Sequence, residues 1–310
     1  MKIFTNESMD QIISYAKYEL TNKDNFSIEV LNPDLVEDSY AGLKVIFDEE
    51  YIYRSYKSWV DLSTLLFCKM LTPKVSSEYK VCLQFKKLNK NDSFHKSEND
   101  EQNEKYGEDS TFFKLNKNEE PAFLYYYKQA LENVKITEKQ NILNLGINRA
   151  DEFEVIVNML SKENIDSKEF IGVDYCPSAI KYASNRFNEK NFSFFTHDIN
   201  KLDELNLKKA DLIVSVGTLQ SSSLNFKELF MTLIQNYLKE DGAIILAFPN
   251  CRWIGGEMVY GAKAPNYSFS EQSILYKDVY FCKKYLQQKK YRVTLTGKEY
   301  LFLTATSIRK

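Results

Sequence analysis

The 310 residues allow one large domain and a smaller one, and a composition of 44% hydrophobic and 27% charged residues is that of an ordinary globular chain with a buried core. A net charge of −2 carries no whole-chain signature of nucleic-acid binding. Two distant histidines and five scattered cysteines, none in a Cys-x-x-Cys pair, argue against histidine-based triads, zinc sites and a disulfide framework, so no metal is expected.

No apolar run approaches the roughly 20 residues that cross a membrane. The opening MKIFTNESMDQ has no apolar signal core. A cytoplasmic location and no membrane partner are therefore expected. In chain order, periodicity predicts a helix from Glu7 to Leu20, short strands at Phe26–Leu31 and Leu43–Phe47, a helix over Ser58–Met70 and a strand over Tyr79–Phe85. Residues 1–90 read as a small α+β accessory domain. The stretch from Leu88 to Asn118 is polar and poor in aliphatics, which makes residues 91–118 a linker, or a lid if its aromatics Tyr106, Phe112 and Phe113 have a function.

From residue 119 the alternation becomes regular. A helix over Pro121–Val134 precedes a strand at Asn141–Gly146 and a helix at Asp151–Asn164. Strand Glu169–Asp174 leads into helix Pro177–Asn188, which has proline in its first turn. Strands at Phe192–Thr196 and Asp211–Gly217 follow, then helix Asn225–Lys239, strand Gly242–Phe248 and a long helix over Ser270–Gln288. Strands at Tyr291–Thr296 and Tyr300–Thr306 are joined by only Gly297-Lys298-Glu299, too short for a crossover, so they form a hairpin. Alternating strands and helices imply a parallel sheet covered on both faces, here ending in an antiparallel hairpin.

Four motifs in this order resemble the class I S-adenosylmethionine-dependent methyltransferase family over about residues 121–310. Asn141-Ile-Leu-Asn-Leu-Gly146-Ile-Asn148-Arg-Ala150 stands at the family's first strand and glycine-rich turn, with Gly146 kept, Asn148 and Ala150 at the next two glycine positions, and Asn144 where an acid is common. Phe170-Ile-Gly-Val-Asp174 places a carboxylate at the second strand tip, followed by Tyr175. Phe194-Phe-Thr-His197-Asp198 and Ala210–Gln220 match the third and fourth strand ends. The resemblance implies a Rossmann-like seven-stranded sheet, mostly parallel, with the seventh strand antiparallel. It also implies S-adenosylmethionine as cofactor, with S-adenosylhomocysteine as product. By the same resemblance Asp174 accepts from the ribose hydroxyls, Asp198 from the adenine amine, and His197 borders the adenine. Gly146, Asn148, Tyr175, Thr218 and Leu219 complete the cofactor contacts.

Acceptor contacts are expected from the strand ends and the segment after strand five. Its candidates are Asn250, Arg252, Trp253, Tyr260, Lys263 and Tyr267, with Gln220 from strand four and Glu257 as a proton acceptor. The reading is a methyltransferase for a small or medium-sized molecule. An alternative is an RNA (tRNA) methyltransferase, suggested by the basic stretch Arg54–Lys90 with Tyr53, Tyr56 and Trp59 available to stack on bases. A non-catalytic methyltransferase-like binding scaffold is an alternative of another class, suggested by the missing glycines. A dehydrogenase conflicts with the terminal hairpin.

Overall fold

A computed structural model describes residues 1–89, 92, 104, 106–221, 223–261 and 272–309. The chain divides into two compact units: Met1–Ser93 with Trp253–Val259, and Phe94–Arg252 with Tyr260–Lys310. The smaller unit is thus not the contiguous stretch 1–90 that composition suggests, because it takes a segment from beyond residue 250. Among the described residues, no helix is long and apolar enough to cross a membrane.

The smaller unit contains β1 (Lys2–Ile3), α1 (Met9–Asn22), β2 (Asn25–Leu31), β3 (Lys44–Ile46), β4 (Glu50–Ile52), α2 (Tyr56–Leu65), β5 (Cys68–Met70), β6 (Lys74–Val75) and β7 (Lys80–Lys87). A reciprocal cap starts α1: the Ser8 hydroxyl accepts the Gln11 N–H, and the Gln11 side chain accepts the Ser8 N–H. Ile12, Ala16 and Leu20, four residues apart, then bury one stripe against Ile28 and Val30 of β2 and Val81, Leu83 and Phe85 of β7. The helix predicted over Ser58–Met70 ends at Leu65. Phe67 turns left-handed (φ 54°) and Cys68–Met70 pairs antiparallel with β7, so sheet pairing overrides helical propensity.

Within this unit two of the three aromatics proposed for base stacking are buried, and Tyr56 is partly buried against the same core. Tyr53, Arg54 and Trp59 are buried, with the Arg54 guanidinium donating to the Glu7 carbonyl. Lys57 pairs with Asp61, and Lys80 with Asp48 and Glu49.

The larger unit comprises α3 (Pro121–Asn133), β8 (Asn141–Leu145), α4 (Asp151–Met159), α5 (Lys162–Asp166), β9 (Glu169–Asp174), α6 (Pro177–Arg186), β10 (Phe192–Thr196), β11 (Ala210–Val216), α7 (Phe226–Thr232) and β12 (Leu238–Pro249). The hairpin strands β13 (Cys251–Ile254) and β14 (Glu257–Tyr260) follow, then α8 (Ser273–Gln288), β15 (Tyr291–Gly297) and β16 (Tyr300–Ser307). Seven strands form one sheet in the order β10-β9-β8-β11-β12-β16-β15. The first five pair in parallel, and β16 runs antiparallel between β12 and β15. Strand order reverses at β8, between β9 and β11, which opens the crevice where α/β sheets bind ligands.

Alternating strand residues divide the core. Leu143, Leu145, Ile213, Ile244, Leu246 and Leu303 pack with Phe230 of α7 and Val279 and Cys282 of α8. The opposite face carries aromatic contacts, Phe153 with Phe170 and Phe192, and Tyr127 with Phe302, beneath α3 and α4.

Three expected elements change. The helix predicted over Asp151–Asn164 breaks where Leu160 becomes extended, and Ser161 then caps the short α5 by accepting the Asn164 N–H. The helix predicted over Asn225–Lys239 widens into a π turn at Leu233–Tyr237, and β12 begins at Leu238, ahead of Gly242. The described part of the segment after β12 forms a hairpin of β13 and β14. It turns at Gly255-Gly256 with φ of 57° and 81°, the positive values that a tight two-residue hairpin turn demands. Its tip belongs to the smaller unit, where Ile254 and Val259 pack with Leu88 and Phe67.

Candidate active site

The crevice above β8 is framed by a turn that keeps a glycine-like path with few glycines. Gly146 has φ 74°, and a Cβ there would lie 1.9 Å from the Thr218 hydroxyl, so the β8 and β11 ends approach this closely only because the side chain is absent. Asn148 (φ 44°) and Ala150 (φ 61°), at the two positions where glycine is missing, are also left-handed. Asparagine tolerates this conformation, whereas alanine bears about 1–2 kcal/mol of strain.

Asn148 fixes the turn in two directions. Its N–H donates to Asp174 Oδ2 at 2.9 Å, and its side-chain Nδ2 donates to the Tyr106 carbonyl at 2.8 Å. Asp174 Oδ1 accepts the Cys176 N–H, also at 2.9 Å. Burial raises the Asp174 carboxyl above its ordinary pKa, and the surrounding backbone N–H groups offset only part of that shift. Tyr175 follows with half its surface exposed.

The described part of the polar stretch ahead of α3 belongs to this unit and straps the strand tips. Glu104 accepts from the Ser178 N–H (3.2 Å) and hydroxyl (2.5 Å) at the first turn of α6. Burial works against the Glu104 carboxylate, but bonds from Ser178 and Cys176 hold its pKa below the ordinary value. Phe113 packs on Cys176 and Ala179 and meets the Tyr182 ring edge-on. Arg149 in the turn donates to the Phe113 carbonyl at 2.7 Å.

At the β10 end, His197 donates its N–H to the Asp174 carbonyl at 2.8 Å. Its ring Nε2 lies 2.7 Å from the Lys201 carbonyl, which only accepts, so Nε2 carries the hydrogen. Asp198 caps the following turn, accepting the Asn200 N–H at 2.9 Å. Beyond β11, Thr218 donates to the Val216 carbonyl, Leu219 is buried, and Gln220 Oε1 is buried without a partner among the described residues.

Several site residues escape a reading of the sequence. Lys117 Nζ sits 3.2 Å from Glu152 Oε1, a pair shielded from water between the strap and the start of α4. Burial opposes the Lys117 charge, yet the fields of Glu152, Tyr300 and Asp151 leave its pKa raised; burial likewise raises that of Glu152 despite Lys117. Glu299 and Tyr300 enter from the other end of the chain. Burial first, then the fields of Glu299 and Glu120, push the neighbouring Cys251 thiol up to about 12. No local motif announces these groups, because their partners are distant in sequence.

The segment-five candidates separate. Asn250, Arg252 and Tyr260 belong to the larger unit, Trp253 and Glu257 to the smaller one. Trp253 is buried, and Tyr260 accepts from Gln272 Nε2. Lys263 and Tyr267 lie outside the described residues. Glu257 does not have the free carboxylate expected of a proton acceptor, because it pairs with Lys69 at 2.5 Å.

Residues 128–294, just over half of the chain, match the family described as a methyltransferase domain. No curated protein matches. Similar solved structures include an N-methyltransferase, NodS, from Bradyrhizobium japonicum WM9, 14% identical over 62% of this chain and 99% of that one, with a TM-score of 0.42. Another is a precorrin-6y C5,15-methyltransferase from Geobacter metallireducens GS-15, 14% identical over 59% and 88%, with a TM-score of 0.40. The sheet order, the antiparallel β16 and this family match agree: the chain belongs to the methyltransferase-domain family and is an S-adenosylmethionine-dependent methyltransferase.

Proposed function

We propose that S-adenosylmethionine is held over the tips of β8, β9, β10 and β11, and that a small or medium-sized molecule accepts the methyl group. The turn that stays left-handed at Asn148 and Ala150, with the Asn148 N–H fastened to Asp174, carries this reading. Asp174 fits the cofactor's ribose. Its oxygens take the Asn148 and Cys176 N–H groups, with the Tyr175 N–H also acting on it, and a carboxylate offers about four acceptor positions, so capacity remains for a hydroxyl. Gly146 and Asn148 offer backbone to the methionyl and ribose parts. Tyr175, His197 and Asp198 border the adenine, while Thr218 and Leu219 line the passage toward the acceptor. The buried Lys117 ammonium suits the cofactor's carboxylate.

When bound, S-adenosylmethionine supplies a methyl group already activated on a sulfonium. The chain's own part is to orient the acceptor and exclude water, which Gln220, Asn250, Arg252 and Tyr260 serve from the ends of β11 to β14. Lys263 and Tyr267 remain candidates to contact a planar or anionic part of the acceptor. The test is calorimetric titration with S-adenosylmethionine, S-adenosylhomocysteine and NAD. Binding of the first two without NAD is expected. No binding of either would return the chain to the scaffold reading, and NAD binding alone would make it a dehydrogenase.

A further inference from the structure

We infer that the acceptor is recognised through an amine, by three buried oxygens at adjoining strand ends that lack donors among the described residues: Gln220 Oε1 after β11, Asn250 Oδ1 after β12 and Glu299 Oε2 before β16. The inference rests on the methyltransferase reading above and specifies its substrate. These strands are neighbours in the sheet. Their ends are tied together: the Gly217 N–H donates to the Ala247 carbonyl at 2.8 Å, and the Asn250 N–H to the Glu299 carbonyl at 2.7 Å. Asn250 Nδ2 also reaches the Lys298 carbonyl at 3.4 Å. This commits the amide nitrogen and leaves its oxygen without a donor among the described residues.

Asn250 is 5% exposed and Glu299 9%, and all three oxygens are closed off from water. A donor that reaches any of them gains its bond without exchanging it with solvent. A hydroxyl brings one hydrogen, whereas an ammonium brings up to three. The charge nearby points the same way. Glu299 and Glu120 both act on the Cys251 thiol as negative neighbours. Lys298 pairs with Glu299 through Oε1, leaving Oε2 as the unpartnered oxygen. Acceptor oxygens, one of them on a carboxylate, suit a group that brings several hydrogens and a positive charge.

The test titrates primary amines graded from methylamine to spermidine, with the matched alcohols and carboxylates, into the full chain saturated with S-adenosylhomocysteine, and follows binding by NMR. Amines should bind in preference to alcohols, and carboxylates not at all. Glu299→Gln should weaken amine binding about tenfold, the weight of a charge-assisted hydrogen bond. Asn250→Asp, which adds a negative oxygen, should strengthen it. Equal binding of amines and alcohols, no amine binding, or an unchanged preference in folded Glu299→Gln protein would overturn the inference. Failure to bind S-adenosylhomocysteine would instead count against the cofactor reading, and the amine titration on the protein alone would still decide the acceptor.

Discussion

The backbone N–H of Asn148 donates to Oδ2 of Asp174 across 2.9 Å, fastening the turn after the first strand of the large sheet to the carboxylate at the tip of the second. The bond needs Asn148 in a left-handed conformation, and Gly146 and Ala150 around it share that handedness. The turn and the carboxylate therefore form one local device.

Asp174→Ala removes an acceptor from two backbone N–H groups and, on the proposed reading, from the cofactor's ribose. S-adenosylmethionine affinity should fall by roughly one to a few kcal/mol, measured by calorimetry; unchanged affinity in a folded variant would remove Asp174 from the site. In the parent protein the raised pKa sets the pH dependence. The folded chain takes up the Asp174 proton more readily than the unfolded chain, so this group favours folding as pH falls and disfavours it as pH rises. Cofactor affinity should accordingly decline on acidification from a higher pH than the ordinary value of 3.8 would dictate.

Ala150→Gly should stabilise the fold by up to about 1 kcal/mol, since glycine adopts the left-handed conformation without strain. Gly146→Ala should cost at least about 2 kcal/mol, from backbone strain and collision with Thr218 together. Urea denaturation measures both. Equal stability of the two variants and the parent would mean that the turn relaxes elsewhere.

Lys117→Met strands Glu152 in a buried site, and about 3–5 kcal/mol of stability should go with the broken pair. Without its cation Glu152 titrates still higher, so the folded state gains a proton that the unfolded state lacks. The deficit should shrink as pH is lowered from 7 toward about 5. Adding Glu152→Gln should recover much of the loss at pH 7. A deficit that is flat across this range would show that Glu152 is not the group left exposed to the penalty.

Glu257→Gln should leave turnover within about twofold of the parent and stability within about 1 kcal/mol, because a half-exposed ion pair contributes little. A loss of turnover of tenfold or more with an unchanged fold would restore Glu257 as a proton acceptor.

Sequence by itself determined the larger unit's architecture. Hydrophobic alternation marked the strands, and the short Gly297-Lys298-Glu299 connection required the final hairpin, because no crossover fits in it. It also located Asp174 and the turn around Gly146, since strand tip and glycine are signals written within a few residues. Only tertiary structure decided that Asn148 and Ala150 keep the turn's handedness, because an individual φ depends on what the backbone must reach. It alone joined Lys117 to Glu152 and Asn250 to Glu299, pairs far apart along the chain. Tertiary pairing also withdrew Cys68–Met70 from its predicted helix and carried the tip of the β13–β14 hairpin into the smaller unit, taking Glu257 to Lys69. Local periodicity records which face of an element is apolar; it holds no record of which distant surface will cover that face.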